Sequence, residues 1–478
     1  MSESPFCDDP GSRQRLMGMM KLTVALLMAT ALGCSSDVDL PLNVEGGPGA
    51  RPSDSSPPLG QLAWSRADYA DEGYVSDLAW AADGGLIATI PMMRDGNGTK
   101  QIPLITRHEA DGTLDWDVQD ADSDFLGALS PTPDGGAVVG ISPDNWNEEE
   151  PIRPAGLNWY DGDGNLVRSW RAGEHDTEAP LSSIGAVQTL PDGRVFWAGE
   201  TLKDSKARMV AGMVDPDGQL EWAERVTAPV EGPFSGGGPI DAKLAADGSV
   251  LLLADYPITP GAGTYASFVV NLALDGSEVW RTVFGGTGYG RGFEVAPSGN
   301  LVVVGNFDEL VSIGDLRLED DTHGHNRFVA ELDPAGRPLR LASLELPAAI
   351  DRDEIDVSAT TMILVGEDLL VGGSYYYSRS PNSPTPIGSG YYATTNRLDG
   401  SLVTEMIFPV DLDFPFMAGF GPMAADVTEE GRLALAGSYA GRVDFGDGEI
   451  DSGDGFLGPR SMPFLTVFDM MPAEGDVD

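Results

Sequence analysis

Four glycine–tryptophan segments with identical internal spacing recur along this chain: Gly60-Gln-Leu-Ala-Trp64, Gly112-Thr-Leu-Asp-Trp116, Gly218-Gln-Leu-Glu-Trp222 and Gly276-Ser-Glu-Val-Trp280. A stretched copy runs from Gly164 to Trp170, and two degenerate copies begin at Gly336 and Gly400. A repeat of this kind constrains the fold more than any single motif. Each unit is too small to bury its own apolar face and must stack on the next.

Most of these segments follow a short β-type run and a tight turn. Examples are Phe268-Val-Val-Asn-Leu-Ala-Leu-Asp275 before Gly276 and Phe328-Val-Ala-Glu-Leu-Asp333 before Gly336. Asp and Gly tolerate the backbone angles of hairpin turns, so each pair of runs predicts a hairpin. A second hairpin lies between successive copies. It has an apolar arm, a turn such as Asp83-Gly84, Asp247-Gly248 or Glu430-Gly431, then a nearly continuous apolar strand such as Val250-Leu-Leu-Leu-Ala254 or Leu301-Val-Val-Val-Gly305. Apolar residues on both faces mark strands sandwiched between neighbours. Four strands per unit and about 59 residues per copy between Gly60 and Gly475 predict an all-β, single seven-bladed β-propeller, with six or eight blades as alternatives.

The ends agree with that count. The repeat region opens on a lone outer strand, Gly60 to Trp64, and closes on a lone third strand, Pro463 to Asp469. The N-terminal strand is therefore expected to complete the last blade and remove the open sheet edges.

Ahead of the repeats, Arg13, Arg15 and Lys21 precede an apolar run of 11 residues, Leu22 to Leu32, then Gly33 and Cys34. That run is short for a membrane span of about 20 residues and fits a secretory signal. Ala31-Leu32-Gly33-Cys34 resembles a bacterial lipobox. The resemblance implies cleavage before Cys34, its lipidation, and, with Ser35 following, an outer-membrane location on the periplasmic or cell-surface side. Residues 35–59, rich in Pro, Ser, Gly and Asp, read as a disordered tether. The expected domains are a signal peptide over 1–33, lipidated Cys34 and tether over 34–59, and the propeller over 60–478. Apart from Cys34 the exported part has no cysteine, so its stability rests on its core.

The repeats also resemble those of bacterial β-propeller-repeat lipoproteins of the SBBP-like kind, in Phe328-Val-Ala-Glu-Leu-Asp333, Val443-Asp-Phe-Gly-Asp-Gly448 and the Gly-x-x-x-Trp copies. The Leu-Asp-x-x-Gly-x-x-x-Trp portion is similar to the tryptophan-docking motif of quinoprotein propellers. That resemblance implies that Trp64, Trp116, Trp222 and Trp280, with Trp170 of the stretched copy, are structural staples between blades. It implies no quinone, because the vicinal disulfide of that family is absent.

The net charge of −46 excludes a nucleic-acid partner, whose phosphates demand basic patches. The long second-to-third and blade-to-blade connections share one rim, where binding loops on a rigid scaffold belong. Candidate ligand-binding residues there are Tyr375, Tyr376, Tyr377, Tyr391 and Tyr392. Candidate metal ligands, with calcium as the candidate ion, are Asp444, Asp447, Asp451 and Asp454 and the cluster Asp320, Asp321, His323 and His325. No catalytic residues are singled out. The primary expectation is a monomeric, lipid-anchored binding or scaffolding propeller for a protein or polysaccharide. An outer-membrane assembly scaffold and a polysaccharide hydrolase or lyase are the alternatives.

Overall fold

The computed structural model describes residues 61–470 except 68–71, 94–100, 120–124, 143–153, 174–180, 204–205, 230–237, 259–264, 320–325, 348–354, 378–388, 411–420, 429, 440–441, 445–448, 452–453, 456–457 and 460–461. Cys34 and its flanks lie outside the described residues. Every regular element among the described residues is a strand.

Among the described residues the larger antiparallel sheets number seven, six of four strands and the first with the two-residue strand Glu72–Gly73 added beside Leu86–Met93; each is taken as a blade with strands a to d from the centre outward. Blade 1 comprises Asp77–Trp80, Leu86–Met93, Gln101–His108 and Leu114–Gln119. Blade 2 comprises Phe125–Pro131, Ala137–Ser142, Gly156–Tyr160 and Leu166–Arg171. Blade 3 comprises Leu181–Thr189, Val195–Lys203, Lys206–Val214 and Leu220–Arg225. Blade 4 comprises Pro239–Leu244, Val250–Pro257, Tyr265–Leu272 and Glu278–Val283. Blade 5 comprises Tyr289–Val295, Leu301–Phe307, Asn326–Leu332 and Pro338–Ser343, and blade 6 comprises Ile355–Val365, Asp368–Tyr377, Ser389–Arg397 and Leu402–Val410. Blade 7 takes Gly421–Val427, Arg432–Tyr439 and Met462–Asp469 from the C-terminal end and Gln61–Arg66 from the N-terminal end. Gln61 lies opposite Asp469 and Arg66 opposite Leu465.

The b strands hold the ring together by alternation. Val250 and Leu252 of blade 4 face Phe196 and Met213 of blade 3, whereas Leu251 and Leu253 face Phe293 and Val303 of blade 5. Successive side chains of a strand point to opposite faces, so one apolar run feeds two cores. The described hydrophobic clusters fall at every successive junction, from blades 1 and 2 through 2 and 3, 3 and 4, 4 and 5, 5 and 6, and 6 and 7, back to 7 and 1. The fold is a closed β-propeller.

Tight a–b and c–d turns lie on one rim. In blade 1 the Gly112 amide donates to the Glu109 carbonyl at 2.9 Å, and Gly112 has φ of 84°. The d strand then begins with a bulge, the pattern of a three-residue hairpin loop. The b–c and d–a connections run along the other rim. In blade 5 the b–c connection adds a hairpin of Leu310–Ile313 and Leu316–Glu319, whose Val311 and Ile313 are buried against the core between blades 4 and 5.

Candidate functional site

The a strands of all seven blades line a central channel of about 550 Å³. Its wall carries Asp77 from blade 1, Asp241 and Lys243 from blade 4, Arg291 and Glu294 from blade 5 and Asp426 from blade 7, with Gln188 from blade 3 and Tyr74 ahead of blade 1. Lys243, Glu294 and Asp426 each stand five places before the a–b turn glycine of their blade, Gly248, Gly299 and Gly431. Asp77 and Asp241 stand seven places before Gly84 and Gly248. These positions share one strand face, because a strand alternates with period two.

Each charge has fixed partners. The Asp77 carboxylate accepts the Leu78 amide at 2.9 Å and, from blade 2, the Leu129 amide at 2.7 Å. Asp426 accepts the Val427 amide and, from blade 1, the Trp80 amide, both at 2.8 Å. The Lys243 ammonium lies 2.9 Å from Glu294 and 3.7 Å from Asp241. Burial pushes Asp77 up to about 7, with Asp241 adding a like charge and the two amides opposing. Burial likewise raises Asp241 to about 6, against the pull of Lys243. Asp426 is raised by burial as well. Burial disfavours the Lys243 ammonium, yet Asp241, Glu294 and Asp426 outweigh it and hold its pKa well above the ordinary value. Burial raises the Tyr74 hydroxyl to about 12, so it stays a neutral donor and acceptor at the wall.

Two further carboxyls stand at the ends of b strands, toward the long-connection rim. Burial raises Glu200 of blade 3 to about 7. It also raises Asp255 of blade 4 to about 7, while a hydrogen bond from the Ser267 hydroxyl and the charge of Arg291 pull the other way. Arg291 stacks over Tyr289, 4.8 Å from the ring centre.

The candidate tyrosines divide. Tyr392 is wholly buried, donates to the Ser358 carbonyl at 3.1 Å and lies 4.7 Å beneath the buried Arg327 guanidinium. Tyr375 is 8% exposed. Both rings are therefore buried within blade 6, Tyr375 on its b strand and Tyr392 on its c strand. Tyr376, Tyr377 and Tyr391 lie on the b and c strands of the same blade, and their side chains lie outside the description. Asp320, Asp321, His323, His325 and Asp447 lie outside the described residues. Of the other candidate calcium ligands, Asp444 lies opposite Glu449 in a small hairpin, Asp451 opposite Arg442, and Asp454 opposite Pro459. Among the described residues no group of three or more His, Cys, Asp or Glu side chains is placed to hold a metal.

The tryptophans stand on the outer strands. Trp64, Trp116, Trp222 and Trp280 each donate the indole N–H to a carbonyl in the c–d turn of the following blade, at 3.2, 2.8, 2.8 and 3.1 Å to Ala110, Gly162, Leu274 and Pro334. Trp170 is placed differently. It is 8% exposed and packs on Trp197 of blade 3 with ring centres 5.3 Å apart. The position four places after Gly164 is held by Arg168, which donates to the Pro216 carbonyl in the blade 3 turn and so takes the docking role in blade 2.

No protein-family model matches this sequence, and no curated protein does. Among solved structures, the C-terminal WD40 domain of Sif2 is 10% identical, with a TM-score of 0.43 over 86% of this chain and 100% of that one. A catalytically inactive virginiamycin B lyase from Staphylococcus aureus is 11% identical, with a TM-score of 0.37 over 65% and 95%. XC5397 from Xanthomonas campestris, a gluconolactonase, is 16% identical, with a TM-score of 0.35 over 67% and 93%.

Proposed function

We propose that this chain is an extracytoplasmic binding propeller, tethered to the outer membrane through lipidated Cys34, whose ligand enters the central channel from the long-connection rim. The carrying observation is the channel itself: about 550 Å³, walled by all seven blades, with ionisable groups converging from four of them. Concave sites with a few oriented polar groups are where ligands bind. Every carboxyl described at the wall is anchored by backbone amides or by Lys243, which suits recognition by oriented polar groups.

The test screens the full-length lipidated chain, in detergent, against glycan and peptide arrays beside a Gln188→Trp variant that fills the channel. Ligands that bind the parent and not the plugged form support the reading. Ligands that bind both equally move the site elsewhere. The anchor is checked by fatty-acid labelling of a Cys34→Ser variant, in which the label should disappear.

A further inference from the structure

The b-strand residue seven places after the a–b turn glycine clasps the next blade at three junctions. After Gly135 it is Ser142, whose hydroxyl accepts the Ile184 amide of blade 3 at 3.3 Å. After Gly299 it is Asn306, which accepts the Ala359 amide of blade 6 at 2.9 Å. After Gly248 it is Asp255, which accepts the Ser267 hydroxyl, and that hydroxyl in turn accepts the Gly290 amide of blade 5 at 2.6 Å. Ile184, Ala359 and Gly290 each stand just before a β-bulge in their a strand. A bulge disrupts the ladder locally, and these side chains receive the amide beside it.

At two other junctions the residue before the bulge is a proline, Pro239 in blade 4 and Pro422 in blade 7, so there is no N–H to clasp. The position facing Pro422 is Gly373, which has no side chain. The position facing Pro239 is Glu200, seven places after Gly193. Its carboxyl is half-buried and has no hydrogen-bond or ion-pair partner among the described residues. Gly238 admits it, since a Cβ there would stand 2.9 Å from Oε1. Removing the amide at one junction removed the clasp as well; at the other it left an acceptor aimed at a missing donor, which costs stability and joins nothing.

We propose that Glu200 receives an alkylammonium group of the channel's ligand, in the place where other junctions present a backbone N–H. This rests on the channel reading and adds the charge of the ligand. The bulge after Pro239 sets Ile240 in the channel wall, and Glu200 meets Gly238 two residues earlier, toward the long-connection end. Along the wall Asp77, Asp241, Glu294 and Asp426 outnumber Lys243 and Arg291, and Arg291 is stacked on Tyr289 with Asp255 nearby. A cavity lined by an excess of one charge concentrates the opposite one. A guanidinium pairs best through both carboxylate oxygens, but Oε1 lies against Gly238; a compact ammonium needs only one oxygen.

Spermidine, a linear triamine, titrated calorimetrically into the full chain at pH 8 tests the proposal. There the Glu200 carboxyl, at about 7, is ionised, and alkylammonium groups, near about 10, keep their charge. Glu200→Gln should weaken binding about tenfold or more, as loss of a charged hydrogen bond does. Glu109→Gln, which removes an equal charge from an exposed turn, should change it little. Pro239→Ala keeps the carboxylate and supplies the missing N–H. Glu200 should then clasp it as Asn306 clasps Ala359, so spermidine binds more weakly and the chain melts higher. No binding to the parent, parent-like binding in Glu200→Gln, or an equal loss in Glu109→Gln overturns the proposal. An array ligand that carries no amine and is excluded by Gln188→Trp overturns it too, and leaves the channel reading intact. Spermidine bound by Gln188→Trp as by the parent, yet lost in Glu200→Gln, keeps the Glu200 site and overturns the channel reading instead.

Discussion

Trp64 lies against Gly112, the residue that closes the c–d turn of the neighbouring blade, so closely that a Cβ on Gly112 would stand 2.7 Å from the indole ring. The same meeting recurs as Trp116 with Gly164, Trp222 with Gly276 and Trp280 with Gly336. The glycine that shapes each turn is therefore also the floor on which the preceding blade's tryptophan rests. Gly112→Ala should lose about 1–2 kcal/mol to its left-handed backbone and a comparable amount to the clash. Gly84→Ala, at φ of 87° with nothing within 4 Å of the new Cβ, should lose only the first part. Urea melts of the two variants separate the contributions. Equal midpoints would falsify the docking role of Gly112.

Burial ranks the tryptophans. Trp170 and Trp197 are 8% and 0% exposed and stack on one another, whereas the docking tryptophans are half-buried. Trp170→Ala should cost about 3–5 kcal/mol, as removal of a buried indole does, and Trp116→Ala about 2 kcal/mol. Arg168→Trp should be tolerated, since Gly218 offers it the same glycine floor that Gly164 offers Trp116. A larger loss at Trp116 than at Trp170 would reverse this order.

The blades and the closing strand were legible in the sequence because hairpin turns and two-faced apolar strands are local signals. Gln61–Arg66 could be assigned to the last blade simply because it was one strand too many at the start and one too few at the end. Arg168 is not legible in a Gly-x-x-x-Trp pattern, because a side chain of different chemistry stands at the same spacing. Its long stem and guanidinium fill the place of an indole. The channel is not legible either. Asp77, Asp241 and Asp426 are separated by more than a hundred residues at each step, and each is unremarkable among 75 acids. Counting back five and seven places from each a–b turn glycine, once the blades are known, finds them all.

Stability should depend on pH in two opposite ways. Asp77, Glu200 and Asp255, each near 7, and Asp241, near 6, bind protons more readily in the fold than in the unfolded chain. Their contribution is greatest near pH 4 and is lost as pH rises through their folded values. The Asp83, Asp192 and Asp333 carboxyls are held below the ordinary range, chiefly through hydrogen bonds from turn amides and the side chains of Arg107, Arg194 and Arg337, which outweigh burial at Asp83. Their contribution is lost as pH falls below about 4. Denaturant midpoints should therefore peak in acidic solution, near pH 4, and decline toward pH 8. A maximum at pH 8 contradicts the raised carboxyls.

Glu200 isolates one part of that balance. Its carboxyl has no hydrogen-bond partner among the described residues and sits beside Gly238, at the junction of blades 3 and 4. A neutral isostere removes the desolvation penalty without emptying the space. Glu200→Gln should stabilise the chain at pH 8 and change little at pH 5. A stabilisation that is equal at both pH values would assign the effect to something other than charge.

Ring closure concentrates on one strand. Gln61–Arg66 covers the free edge of Met462–Asp469; its Trp64 indole donates to Ala110, and Arg66 donates to the Gly112 carbonyl at 3.4 Å. Arg432 of blade 7 reaches the Ala110 carbonyl as well and lies 5.2 Å from the Trp80 ring, so a second contact crosses the same junction from a different strand. Deleting residues 61–66 strips the outer strand from blade 7, bares the edge of Met462–Asp469 and removes the indole from the blade 1 turn. An unpaired edge recruits other chains, so the product should aggregate at concentrations where the parent scatters no excess light. Trp64→Ala keeps the strand and loses only the docking. It should melt lower, by about 2 kcal/mol at the midpoint, and stay monomeric. Light scattering and melting of the two variants side by side distinguish edge protection from docking. If the deletion stays monomeric with the melting point of Trp64→Ala, the strand contributes through its tryptophan alone.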